Sequence, residues 1–151
     1  MAKYGVELQK ATTSLTVGMG SIEAPGSGMR RVKLYDFIFG SASGPADNVF
    51  EFEINRSTTA ATGTAVTPNP LDVADAAAVT LAKSNNTVQG TNTAGVIPLS
   101  TSLNQRATFR WVAAPGSELV IPATASNGFS INTPVASGTP DAHVNVLFEE
   151  Q

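Results

Sequence analysis

Within residues 48–56, NVFEFEINR, apolar and polar side chains alternate without a break from Phe50 to Asn55. An extended chain points successive side chains to opposite faces. Phe50, Phe52 and Ile54 therefore share the inward face, and Glu51, Glu53 and Asn55 the outward one. A slip of one residue would bury two carboxylates, so the register is specified as well as the strand.

The same period recurs along the chain. Tyr4, Val6 and Leu8 alternate with Gly5, Glu7 and Gln9, and Leu15 and Val17 repeat the pattern. Residues 31–39, RVKLYDFIF, set Val32 and Leu34 against Lys33 and Tyr35, then turn apolar on both faces, which predicts cover on both sides of that half. Residues 142–148 place Val144, Val146 and Phe148 opposite His143, Asn145 and Leu147. Runs at 106–112 and 118–121 flank the turn signal Ala114-Pro115-Gly116-Ser117 and predict a β-hairpin. That hairpin carries the lone tryptophan, and Phe109 and Trp111, together with Phe50 and Phe52, are expected to anchor the core. Short strands are also expected at 87–89, 95–99 and 129–131, the last after the turn signal Asn127-Gly128.

Three segments depart from this pattern. Residues 18–28, GMGSIEAPGSG, read as a glycine-rich arm or long loop that orders against a neighbour. Residues 57–68, STTAATGTAVTP, read as an exposed loop. Asn69-Pro70-Leu71-Asp72 combines an N-cap residue, proline at the first helical position and a first-turn acid, predicting one short helix near residues 70–83. Leu71, Ala74, Ala78 and Leu81 would form its apolar stripe, and Lys83 would close its last turn. With eight or more short strands, the expected fold is all-β: an antiparallel β-sandwich of jelly-roll type with one helical insertion, an immunoglobulin-like sandwich being the runner-up. One domain is expected, residues 1–30 supplying N-terminal strands and the arm and residues 31–151 the sandwich.

Little in the residue inventory points to catalysis. The chain has no cysteine and one histidine, His143, which excludes thiolate chemistry and leaves a cupin-type metal centre without its histidines. Glu51 and Glu53, at i and i+2 of a strand, could serve sugar hydrolysis, but with no third polar group at a defined spacing they are better read as the wet face of an amphipathic strand. Asp72 and Asp75 read as helix-start acids, and Glu149 and Glu150 as a solvated terminus. Phosphate-binding and nucleophile-elbow motifs are absent. No catalytic residue, cofactor or metal is therefore expected.

Only 14% of residues are charged, against roughly 25% in an average domain, so the surface is neutral and suited to burial against protein. Net charge is −3, which argues against nucleic acid or an anionic membrane as partner. Residues 1–33 hold Lys3, Lys10, Arg30, Arg31 and Lys33 against Glu7 and Glu23, a net of +3 that leaves −6 for the remainder. These cations are the candidate partner-binding residues, docking on an acidic surface or a sister subunit; the other reading is that Arg30, Arg31 and Lys33 are solvated strand-edge charges that block edge-to-edge pairing. No apolar leader segment or membrane span is seen, which fits synthesis in a cytoplasm.

Taken together, the run from Leu103, LNQRATFRWVAAPGSELVIPA, the upstream RVKLYDFIFGSASGPADNVFEFEINRSTTAATGTAVTPNPLD and the closing VLFEE resemble small jelly-roll capsid decoration (cement) proteins of tailed bacteriophages. The resemblance spans residues 30–150 in texture and segment order. It implies a non-enzymatic protein on the outer capsid surface of a virion, a homo-oligomer with a trimer favoured, made in the host cytoplasm and bridging subunits of the major capsid protein. Two alternatives stand beside it: a carbohydrate- or receptor-binding module using exposed aromatics and the 57–68 loop, and a glycoside hydrolase using Glu51 and Glu53.

Overall fold

The computed structural model describes residues Met1–Gln151. It contains twelve strands and no helix: β1 (Ala2–Lys10), β2 (Gly20–Glu23), β3 (Val32–Ser41), β4 (Val49–Ser57), β5 (Thr62–Val66), β6 (Asn69–Pro70), β7 (Leu81–Val88), β8 (Leu99–Asn104), β9 (Phe109–Val112), β10 (Leu119–Ile121), β11 (Gly128–Asn132) and β12 (Ala142–Glu150). They form two antiparallel sheets that pack as a β-sandwich. The first has the order β10–β3–β12–β1–β6 with β9 also on β3, and the second β5–β7–β2–β11–β4–β8. Strands β1 to β4 alternate between the sheets, β5–β7 extend the two sheets at one side, and β8 and β11 lie in the second sheet while β9, β10 and β12 lie in the first, so partners within a sheet are mostly distant in sequence. The chain's two ends meet: β1 and β12 pair from Ala2↔Glu150 to Lys10↔Ala142.

The period-two patterns place the core. Tyr4, Val6 and Leu8 of β1, Phe50, Phe52 and Ile54 of β4, and Val144, Val146 and Phe148 of β12 are all buried. Rings from the two sheets meet at Phe39 and Phe52, whose centroids lie 5.1 Å apart, and Phe50 packs on Phe52 at 4.5 Å.

Strand β3 resolves its apparent two-sided apolarity differently from the expected double cover. Its pairing with β12 shifts between Leu147 and Phe148, where Leu147 faces Asp36 and Phe148 faces Leu34, leaving Tyr35 as an extra residue. This bulge moves the inward phase from Val32 and Leu34 to Phe37 and Phe39. Asp36 consequently lands on the outer face, where it is buried under Arg110: Nε and Nη2 of the guanidinium donate to its two oxygens at 3.0 and 2.5 Å.

The predicted hairpin does not form. The turn exists, with Ser117 N–H donating to Ala114 O at 2.9 Å and Gly116 at φ +85°. Yet β9 and β10 pair with β3, not with each other, lying in line along one edge while residues 113–118 loop out between them. Phe109 and Trp111 face Phe39 and Phe37 in register and extend the inner aromatic row. As edge residues they lack cover on their outer flank: Phe109 is 36% exposed and Trp111 only partly buried. Phe50 and Phe52 are core anchors, and Phe109 and Trp111 are its margin.

Three other expectations are corrected. The glycine-rich segment is no free arm, because Met19 to Ala24 are buried and β2 lies between β7 and β11 in the second sheet. Gly20 and Gly128 permit this: a Cβ at Gly20 would stand 2.6 Å from Lys83 O, and one at Gly128 would strike Ile22 O. The 57–68 loop contains β5, an edge strand on β7. The helix near 70–83 is absent. Asn69 and Pro70 pair with Gly5 and Tyr4, residues 71–80 run irregularly with one turn at Val73 and Ala74, and Leu81 opens β7. The proposed stripe, half of it alanine, has little area to bury as a helix. As laid out, the segment instead gains the Tyr4 hydroxyl on Ala76 O at 3.0 Å and the Glu150 carboxylate on Val79 and Thr80, and residues 81–88 gain strand partners on both sides.

Candidate functional site

Four of the five candidate cations gather at one end of the sandwich. The register sets Lys3 and Lys33 on either side of Glu149, since both pair with it across β12. Lys33 Nζ lies 3.8 Å from Glu149 Oε1, and Lys3 Nζ stands over the Tyr35 ring at 5.8 Å. Arg30 approaches Glu150 Oε2 at 3.6 Å. Arg31 is exposed and enters no ion pair within the chain. Lys10 is separate: it lies at the far end of β1, roughly 23 Å from Lys3 along the strand, with its Nζ on Asn86 O, and burial lowers its pKa.

Beside Arg31 opens a cleft of about 520 Å³ lined by Arg31, Arg56, Val120, Pro122 and Ala123. Arg56 is half-buried between the sheets. Its guanidinium stacks over Phe129 at 5.1 Å, and Nη2 donates to Val120 O at 3.3 Å. Neither arginine has an acidic partner in the chain, so two positive charges face one apolar-walled opening. Four other cations are paired with carboxylates: Arg30, Lys33, Lys83 and Arg110. Guanidinium forks at such an opening can hold a carboxylate or other anionic group.

Arg56 was missed by charge counting along residues 1–33, although a signal existed: it falls in phase with Phe50, Phe52 and Ile54, on the inward register. The same signal marks Glu150, in phase with Val144, Val146 and Phe148. Instead of a solvated terminus, Glu150 is buried, and its Oε1 accepts from Val79 N, Thr80 N and Thr80 Oγ1 at 2.9, 2.8 and 2.6 Å. Lys83, read as a helix-end cation, is in β7 and pairs with the buried Glu23 across the second sheet.

The remaining candidates are dispersed. Glu51 accepts from Ser100 Oγ at 3.1 Å and Glu53 from Asn55 Nδ2 at 3.2 Å, and the cleft that includes Glu53 does not include Glu51. Asp72 Oδ1 accepts from Ala74 N at 2.9 Å within a turn. His143 lies on the outer face of the first sheet with Nδ1 2.6 Å from Glu7 Oε1 and Nε2 3.8 Å from Asp141 Oδ1, so both ring nitrogens face carboxylates. Trp111 packs against Phe37 at a centroid distance of 5.7 Å, which removes the flat exposed platform that stacking on a sugar requires. No protein-family model, curated protein or solved structure matches this chain.

Proposed function

We propose that this chain is a non-enzymatic structural protein that decorates the outer surface of a tailed-bacteriophage capsid and stabilises it by bridging subunits of the major capsid protein. The observation that supports this reading is the uncompensated cationic end: Arg31 and Arg56 share one apolar-walled cleft on a chain of net charge −3. Lys3 lies at the same end, where Arg30 and Lys33 are already paired with Glu150 and Glu149. An acidic loop of a capsid subunit entering the cleft would be held by forked guanidinium hydrogen bonds.

The rest of the molecule is consistent with a passive clamp. The strand order supports a jelly-roll reading of the sandwich, with β9 and β10 together counting as one interrupted strand. Exposed apolar side chains lie on strand edges and loops, among them Phe109 and Val112 on β9, and suit burial between copies in a closed homo-oligomer such as a trimer. Stabilisation would come from contact area, at roughly 1,200–2,000 Å² per stable interface, with the protein made in the host cytoplasm and carried on the virion.

Co-sedimentation tests this. Purified protein is mixed with empty shells assembled from the major capsid protein of the genome that carries this chain, where that genome encodes one. Saturable binding is expected, weakened at least about tenfold by Arg31→Glu and by raised salt. A monomer that stays in the supernatant at every concentration would overturn the reading.

A further inference from the structure

On the outer face of the second sheet, away from the arginine cleft, three chain segments enclose a cleft of about 220 Å³ with polar walls. Glu53 of β4 pairs in register with Asn132 of β11, and Asn55 follows on the same face. The bridge between Ser57 and Asn92 draws residues 89–92 across this face. The loop between β1 and β2 closes the third side. Thus Glu53, Asn55, Gln89, Asn92 and Asn132 converge although they span 80 residues of sequence.

Hydrogen bonds within the cleft fix which way the amides point. Gly18 N–H donates to Gln89 Oε1 at 2.5 Å, which turns Gln89 Nε2 toward Asn92 Oδ1 at 3.3 Å and leaves Asn92 Nδ2 free. Asn55, only 6% exposed, spends Nδ2 on Glu53 Oε2, leaving Asn55 Oδ1 and Glu53 Oε1 as free acceptors. The Asn132 amide has no partner in the chain. Beside Asn55 in register, Ser130 is fully buried with its hydroxyl unpartnered.

Free donors and free acceptors therefore line one small space together. An anion would meet Glu53, and no lysine or arginine lines the cleft to offset it. A hard cation needs oxygen ligands and would be opposed by the Asn92 amide hydrogens. Neighbouring groups that each donate and accept satisfy the set, and vicinal hydroxyls have that property. Leu15 and Pro134 at the wall offer apolar surface to a C–H face. The volume lies below the roughly 300 Å³ at which drug-sized sites begin, so one ring fits and an oligosaccharide does not.

We propose that this cleft binds a single neutral sugar ring, free or at the terminus of a glycan, through Glu53, Asn55, Asn92 and Asn132. The inference is independent of the capsid reading. The test is titration of ¹⁵N-labelled protein with a panel of neutral monosaccharides and their methyl glycosides, beside a glycan array that separates glycan termini from free sugars. Saturable shifts are expected at Gly18, residues 89–92 and Asn132, including side-chain amide signals, with affinity lowered at least about tenfold in Asn92→Ala and in Asn132→Ala. Asn92 lies on a loop, so its variant reports on binding even where the β11 variant folds poorly. Absence of saturable shifts across the panel together with a blank array would overturn the proposal, as would the same shifts produced by calcium alone.

Discussion

Glu150 takes both hydrogen bonds that Thr80 can donate, at 2.8 Å from the backbone N–H and 2.6 Å from Oγ1. One carboxylate at the end of β12 thereby fixes the point where the irregular 71–80 segment becomes β7.

Removing that carboxylate leaves buried donors unsatisfied. Glu150→Ala is expected to lower stability by about 3 kcal/mol and Thr80→Val by about 1 kcal/mol. Urea unfolding of the two single variants and their double checks this. An additive double variant would show that the two residues do not act as a pair.

Burial separates the aromatic residues by cost. Phe52→Ala, deep between the sheets, is expected to cost about 3–5 kcal/mol, whereas Phe109→Ala, exposed on its outer flank, should cost about 1 kcal/mol. Equal losses in chemical denaturation would contradict the edge position of β9.

The Glu23–Lys83 pair crosses β2 and β7, and Lys83 Nζ also donates to Ala61 O at 2.6 Å. Lys83→Met strands a buried carboxylate and is expected to cost about 3 kcal/mol. Adding Glu23→Gln removes the uncompensated charge and should recover part of that loss. Thermal midpoints of the three variants provide the measurement; a double variant less stable than Lys83→Met alone would refute the account.

Alkaline pH should act through Tyr4. Burial raises its pKa above the usual phenol value, with the charges of Glu150 and Asp75 adding to the effect. The native state therefore holds the phenolic proton more tightly than the unfolded chain does. Its contribution is constant below about pH 10 and declines as pH rises beyond that value. Denaturation midpoints measured from neutral to strongly alkaline pH should fall at the alkaline end, less so in Tyr4→Phe; an unchanged alkaline loss in that variant would remove Tyr4 as the cause.

The strict alternations were legible from the residues because one dry face and one wet face admit a single register. Residues 2–10, 49–57 and 142–150 show this, and the inward phases of Arg56 and Glu150 were written there too. Along β3 the alternation misleads, because nothing in VKLYDFIF marks Tyr35 as the residue that β12 skips.

Residue pattern was enough for an all-β sandwich and the core faces of its long strands, since both follow from period-two burial. Tertiary structure alone decided the rest. It turned a segment with three helix-start signals into a tether and a strand, because Tyr4, Glu150 and the free edge of β2 offered hydrogen bonds that a small contact face, half of it alanine, could not match. It set the arginine cleft and the carboxamide cleft as well, for each is made by side chains far apart in sequence that only strand order and register bring together.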